Sequence, residues 1–343
     1  MARARFENYA AMNPAISVII PTAGLRPILL IRAVESALVG FASGEVEIVV
    51  VPNGSELRWH DAIAGIANYP NVNIFPVDKA SANAARNHGL ANAQGVLVRF
   101  VDDDDYLIPE VASRQCYELF ASGADASSYA IRIEDEWGKV YQTMQQPKTN
   151  DFVAGQLGPF CLGLPLAHLY RRELILSVLW NERYLVCEDN AWLHSVACQK
   201  DVKWLKSEDI VGVWYQHRGP RLSYACPAHE PSYITAESIL NTVAILEQQG
   251  RLNDERKIAA AEGLWLCVHR GFYFNPLHWH SVAKKLPKLG PNLYPQTFLF
   301  TLPGFASLNP LLMEWLLLPA RWLIFCAKWL QALVFGWNPV RRL

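Results

Sequence analysis

Charge is scarce in this chain and what there is cancels. Only 18% of the 343 residues are charged and the formal net charge is -1, so there is no basic field to hold nucleic acid. The seven cysteines, at positions 116, 161, 187, 198, 226, 267 and 326, include no C-x-x-C and no Cys/His spacing suited to zinc. They read as reduced core thiols of a cytosolic chain. The opening MARARFENYAAMNP carries two arginines with no apolar run among them, which predicts no secretory signal and a chain kept on the cytoplasmic side. Glycine is thin where a phosphate loop needs it: PTAGLRPILL, after the first apolar run, has one. Neither an internal repeat nor a low-complexity tract is present.

What is abundant is apolar. Hydrophobic residues make up 51% of the chain, enough for one large or two ordinary domains with a sizeable core. From Ala15 strand-like runs alternate with helical stretches: AISVII, RPILLIRAVESALVGF, VEIVVV, a turn at Pro52-Asn53-Gly54-Ser55, ELRWHDAIAGIAN, VNIFPV, ANAARNHGLANA and GVLVRFV. Strands separated by helices of this length predict βαβ units and a mostly parallel sheet. Beyond Gly138 the pattern loosens, as if a second half-domain supplied the other wall of a cleft. Residues 232–249 read as a helix stopped by Gly250, and Ile258, Ala261, Trp265, Val268 and Phe272 keep helical spacing.

The stretch RFVDDDDYLIPE sets Asp102, Asp103, Asp104 and Asp105 side by side at the end of an apolar strand. Like charges so close call for a partner of opposite sign. In open α/β sheets ligands collect beyond the carboxyl ends of strands, where PTAG, PNGS and DDDD all fall. Carboxylate oxygens suit a hard cation, and Mg2+ is usually held by one or two carboxylates together with substrate phosphates. A solvated acidic loop is the plain alternative, but the strong strand before the run and the YLIP after it bury its flanks.

ISVIIPT, IVVVPNGS, AARNHGLANAQGVLVRFVDDDDYLIPE and CEDNAWL resemble, in order and spacing, the family 2 inverting glycosyltransferases, over residues 15 to 225. The resemblance implies the GT-A fold, an α/β architecture with a Rossmann-like, mostly parallel sheet, and transfer of a sugar from a nucleotide-diphosphate donor. It implies that Pro21 and Thr22 form the loop touching base and ribose, with Asn53 where the family commonly has an acidic turn. Arg86 resembles the base- and phosphate-side arginine. Asp102 and Asp103 fall on the nucleotide, and Asp104, with His217, on a divalent Mg2+ or Mn2+. Asp189 resembles the catalytic base, with Glu188 beside it, and Arg218 the segment closing over the diphosphate. Ser81 stands where a glycine is usual, and SVLWNERYLVC replaces the usual Gly-Gly-Phe segment on the acceptor side.

The chemistry is coherent with that assignment. A sugar hydroxyl is a poor nucleophile, so a carboxylate must take its proton as it attacks, and the departing diphosphate needs positive charge around it. Two other readings exist. A sugar-1-phosphate nucleotidyltransferase would release pyrophosphate and need a glycine-rich loop. A noncatalytic sugar-binding protein would need neither base nor metal carboxylates. Trp137, Trp180 and Trp192 are candidates for stacking on sugar or for core, and His168, His194 and His269 read as structural.

The expected organisation is a tail over 1–13, the transferase domain over 14–225, a helical extension over 226–290 and an apolar tail over 291–343. In PLLMEWLLLPARWLIFCAKWLQALVFGW, residues 310–337, the only charges are Glu314, Arg321 and Lys328, seven apart, with Trp315, Trp322 and Trp329 beside them. That spacing predicts a helix with one polar edge and a wide apolar face, kinked near Pro319. It suits lying on the cytoplasmic face of a membrane near a lipid-linked or saccharide acceptor. A spanning helix would bury Arg321 at roughly 2.5 to 3.5 kcal/mol. A helix packed on the protein is the alternative.

Overall fold

A computed structural model describes Phe6, residues 14–218, 230–286 and 308–335, and positions 289, 302 and 304. The rest of the expected N-terminal tail, the GPRLS end of the late segment, Cys226, the side chains of Lys328 and Trp329, and Arg341 with Arg342 lie outside the described residues. The chain divides into two compact units. One comprises 1–152, 162–184 and 195–218, the other 153–161, 185–194 and 219–343.

The first unit is built on β1 (Ile16–Thr22) and β2 (Val46–Pro52), every residue of which is buried. Strands apolar on both faces belong inside a parallel sheet. β1 pairs in parallel with β2 on one side and with β4 (Leu97–Phe100) on the other, and β3 (Val72–Ile74) pairs in parallel with β2. The crossovers are α1 (Pro27–Leu38), α2 (Glu56–Ala64) and α3 (Ala82–Asn92). Pro27 opens α1, where its fixed φ suits the first turn, and the Ser81 hydroxyl caps α3 by accepting from the Ala84 N–H at 3.2 Å. On α3, Gly89 faces the sheet: a Cβ there would meet Ile19 at 2.5 Å and Val51 at 3.1 Å. The missing side chain lets α3 lie against β1 and β2, and α3 carries Arg86.

After β4 the chain enters the aspartates, β5 (Tyr106–Leu107), α4 (Pro109–Ser122), β6 (Ala126–Asp135), β7 (Val140–Met144), α5 (Phe152–Leu157), β8 (His168–Arg171), α6 (Arg172–Ile175), α7 (Glu188–Ala197) and β9 (Trp204–Gln216). The sheet order is β3-β2-β1-β4-β8-β6-β9-β5, with β7 on β6. The mostly parallel sheet expected from the sequence is therefore mixed. β8 runs antiparallel between β4 and β6, while β6 and β9 are parallel. A four-residue turn joins β6 to β7, too short for a parallel crossover, so that pair is antiparallel. β5 pairs antiparallel with β9, Tyr106 facing Val213 and Leu107 facing Gly212. This register delivers the aspartate turn to the carboxyl end of β9.

The second unit holds α8 (Glu230–Gln248), α9 (Asp254–Gly271), α10 (Pro276–Ala283) and α11 (Pro310–Phe335). Asn253 caps α9 by accepting from the Arg256 N–H at 2.9 Å, and α9 buries Ala261, Leu264, Trp265 and Val268. α11 is one helix with Pro319 inside it. Its two charges with described side chains, Glu314 and Arg321, are engaged within the second unit. Glu314 is fully buried, with its Oε1 2.6 Å from His269 Nδ1 and its Oε2 2.9 Å from Arg321 Nη1, and Arg321 also donates to the His269 carbonyl at 2.5 Å. Trp315 donates to His280 and Trp322 to the Tyr273 carbonyl. Leu312, Leu316, Leu323, Ile324 and Leu330 are exposed. Of the polar edge predicted from the seven-residue spacing, Glu314 and Arg321 lie together and are turned onto His269 of α9, while these leucines and Ile324 stay exposed.

Candidate active site

The carboxyl ends of β1, β2 and β4 bring together Pro21, Thr22, Asn53 and the aspartates. The Asn53 side-chain amide and backbone N–H both donate to the Thr22 carbonyl at 2.9 Å, which ties the first loop to the PNGS turn. The Thr22 hydroxyl donates to Asp103 Oδ2 at 2.5 Å and accepts from the Gly24 N–H at 3.0 Å. Gly24 has φ of +72°, and a Cβ on it would meet Trp59 Cα at 2.2 Å, so the turn that presents Arg26 requires glycine.

Asp103, Asp104 and Asp105 are buried. Burial raises the Asp103 carboxyl to about 6, against the opposing pull of Arg26 and Thr22. Arg26 spans the cluster: its Nη2 lies 2.9 Å from Asp103 Oδ1, and its Nη1 lies 2.8 Å from both Asp104 Oδ2 and His217 Nε2. His217 Nε2 is itself 3.0 Å from Asp104 Oδ2. Arg32, stacked on Tyr106 at 4.3 Å and Tyr215 at 3.9 Å, donates to the Asp104 carbonyl at 2.8 Å. Asp105 accepts from the Tyr215 N–H at 2.9 Å, pinning the end of β9 that leads to His217.

Asp102 turns the other way, to Arg86. The Arg86 Nη2 donates to Asp102 Oδ1 at 2.8 Å and Nη1 to Asn83 Oδ1 at 3.0 Å, while its guanidinium stacks on Trp180 at 4.5 Å. Asn83 donates to the carbonyls of Asn181 and Tyr184, and Asn87 exchanges hydrogen bonds with the Trp180 backbone. One face of α3 thus anchors residues 180–184, the segment standing where the family has Gly-Gly-Phe. Trp180 is core, as is Trp192; Trp137 is exposed. Arg218 does not join the aspartates here. It pairs with Glu136 at 2.6 Å and lies over the Trp137 ring at 4.4 Å, on the β6–β7 turn.

Glu188 and Asp189 form the first turn of α7, in the second unit as far as residue 194. Anionic side chains are favoured at that end of a helix. Cys187, immediately before them, has φ of +54°, a left-handed conformation costly for a side chain with a Cβ. Burial, with the Asp189 charge adding to it, pushes the Cys161 thiol up to about 12. The structural histidines are as expected: His168 bridges Ser128 and the Leu162 carbonyl, and His194 bridges Ser238 and the Gln156 carbonyl.

Residues 17–184 match the family described as Glycosyl transferase family 2. They are a glycosyltransferase family 2 domain. Among curated proteins the chain is similar to two from Bacillus subtilis (strain 168) named as glycosyltransferases. These are EpsH, 24% identical over 174 residues and 48% of each chain, and the uncharacterized EpsJ, 22% identical over 52% of this chain and 55% of its own. The chain spans about half the length of these relatives. Among solved structures it is similar to S. aureus TarS 1-349 in complex with UDP-GlcNAc, at a TM-score of 0.58 and 21% identity, covering 81% of this chain and 82% of that one. It is also similar to the mannosyltransferase PcManGT from Pyrobaculum calidifontis in complex with GDP-Man and Mn2+, at a TM-score of 0.52 and 14% identity, covering 84% and 81%. These likenesses establish the GT-A fold.

The family 2 domain contains a donor set that fits a divalent cation. One carboxylate oxygen each from Asp102, Asp104 and Asp105 lies within 4.8 Å of the others, and His217 Nε2 meets Asp104. Hard oxygen donors with one imidazole suit Mg2+ or Mn2+, and a cationic group is already drawn to Asp104 and His217. That group is the residue sequence reasoning missed. Arg26, in the first loop of the domain, was visible only as the residue before Pro27. Arg32 and Asp105 were likewise unassigned, and they support the cluster from behind.

Proposed function

We propose that this protein transfers a sugar, with inversion, from a nucleoside diphosphate sugar to an acceptor hydroxyl, using a divalent cation. The convergence of Asp103, Asp104 and His217 at the carboxyl ends of the family 2 sheet carries this reading. Thr22, Asn53, Asp103, Asp102 and Arg86 hold the nucleotide, and the last two form a pair already oriented by Asn83 and Trp180. Asp104 and His217 hold Mg2+ or Mn2+, which when bound supplies charge to the leaving diphosphate. Asp189 takes the proton of the attacking hydroxyl, with Glu188 beside it, and a single displacement needs no covalent nucleophile. Arg218 reaches the diphosphate only when its pair with Glu136 opens.

The donor classes to try first are those of the structural relatives, UDP-GlcNAc and GDP-Man. The test is incubation of the full chain with each donor, Mn2+ and saccharide or lipid-linked acceptors, reading free nucleoside diphosphate and the anomeric configuration of the product by NMR. Release of pyrophosphate would mark a nucleotidyltransferase instead. Binding without any turnover of donor would mark a sugar-binding protein, and a retained anomer would rule out inversion.

We also infer that α11 attaches the enzyme to a membrane surface on the cytoplasmic side, in keeping with a role in cell-surface polysaccharide or glycolipid assembly. Residues 310–327 have a mean hydropathy of 1.4, and only 11% of them are buried, which makes the helix long and apolar enough to meet lipid. The two charges whose side chains are described are occupied on the protein side, so the outward face is apolar.

A further inference from the structure

We propose that Arg26 is the resident counter-cation of the donor site and that its guanidinium and the divalent cation exclude one another there. The inference rests on the metal-dependent transferase reading. It follows from which atoms Arg26 touches. Its Nη1 is 2.8 Å from His217 Nε2 and 2.8 Å from Asp104 Oδ2, and its Nη2 is 2.9 Å from Asp103 Oδ1. A guanidinium only donates, so at Asp104 and Asp103 each contact uses a lone pair of the carboxylate. His217 Nε2 lies 2.8 Å from Arg26 Nη1 and 3.0 Å from Asp104 Oδ2: it either accepts from Arg26 through its single lone pair or carries a proton and donates to Asp104. In neither tautomer does it offer a lone pair to a metal, while the guanidinium covers the facing oxygen of Asp104.

The charge arithmetic points the same way. Asp103 and Asp104 are buried neighbours of one sign, and buried charges must be paired or neutralised. Arg26 pairs with both at once. Its side chain is 26% exposed, while those of Asp103 and Asp104 are 4% and 12% exposed. The cation is therefore on the solvent side of the carboxylates and can swing off them without disturbing the core. The turn that presents it is fixed by Gly24, and its neighbour Pro27 is locked into α1, so the movement belongs to the side chain. Arg26 keeps the empty site assembled and yields it when metal arrives; the freed guanidinium then stands beside the site as a donor for an anionic ligand.

The experiment measures Mn2+ binding to the full chain, without nucleotide, by titration calorimetry and by loss of the free-ion EPR signal. Wild type is compared with Arg26→Gln, Arg26→Ala and His217→Gln. Removing a competitor that holds the site most of the time should raise the apparent Mn2+ affinity of Arg26→Gln and Arg26→Ala by about tenfold or more. Added methylguanidinium should weaken Mn2+ binding to Arg26→Ala again, an effect a merely structural arginine would not give. His217→Gln should bind Mn2+ less well than wild type. Unchanged or weaker Mn2+ affinity in both folded Arg26 variants would overturn the proposal. If that happens while the chain still turns over donor with Mn2+, only the counter-cation role is lost. If neither wild type nor variants bind Mn2+, the metal-dependent reading falls with it.

Discussion

The backbone N–H of Tyr215 donates to Asp105 Oδ1 at 2.9 Å, joining the last of the four aspartates to the strand end that leads to His217. Asp105 thus positions the strand end while its neighbour Asp104 faces Arg26 and His217. Asp105→Ala should cost about 1.5 to 3 kcal/mol of stability, the scale of a hydrogen bond to a charged group. It should also weaken Mn2+-dependent binding of nucleoside diphosphate, because His217 loses its fixed approach. Thermal melting and calorimetry on the same variant check both parts, and binding equal to wild type would show that the strand end holds itself.

Asp104→Asn keeps the shape of the side chain and removes its charge. Metal-dependent binding of UDP or GDP should be lost, with the circular dichroism spectrum unchanged. Calorimetric titration with and without Mn2+ decides it, and a persisting Mn2+ effect would move the metal to other carboxylates.

Asp189→Asn should bind donor as wild type does and lose transfer by about 10² or more, the usual scale for removing a general base. Single-turnover transfer alongside donor binding separates the two effects. Near-normal turnover would transfer the role of base elsewhere.

His168 gives the fold an acid sensitivity of known sign. Its Nε2–H donates to the Leu162 carbonyl at 2.6 Å and its Nδ1 accepts from the Ser128 hydroxyl at 2.6 Å. Burial lowers its pKa from 6.5 to about 4. The unfolded chain therefore binds the proton first. Stability is full above pH 6.5, falls as the pH drops toward 4, and levels off below it, by about 3 kcal/mol in all. His194, buried in the second unit and also lowered to about 4, behaves alike. Urea melts from pH 8 to 4 should show a shallower acid slope in His168→Gln than in wild type, and parallel slopes would discount the histidine.

Glu314→Ala leaves Arg321 beside a buried gap, and breaking a buried pair costs about 3 to 5 kcal/mol. The second unit should melt earlier. Fractionation of the full chain against one ending near Pro291 tests the membrane: liposome binding should be confined to the full chain, and equal solubility of both without detergent would make α11 a packing element only.

The core strands were legible because they are buried on both faces, so β1 and β2 read as unbroken apolar runs with helices between them. The aspartates were legible for the opposite reason, as charge placed where a strand should end. Arg26 was not, since Asp104 is 78 and His217 is 191 positions away, and local pattern carries no record of such meetings. β8 slips between β4 and β6 for a similar reason: four residues do not announce their direction. The seven-residue spacing of charge on α11 gave the stripe but not its side, because the deciding partner, His269, is 45 positions from Glu314.

The clamp among Glu314, Arg321 and His269 means that the roll of α11 about its own axis is set inside the protein, before any lipid is met. On the membrane-attachment reading, a bilayer would meet an apolar face that is already turned outward, with no change in the roll of the helix needed to present it. The same constancy has a drawback in water: that face has no way to turn inward, and exposed apolar surface of this kind favours association.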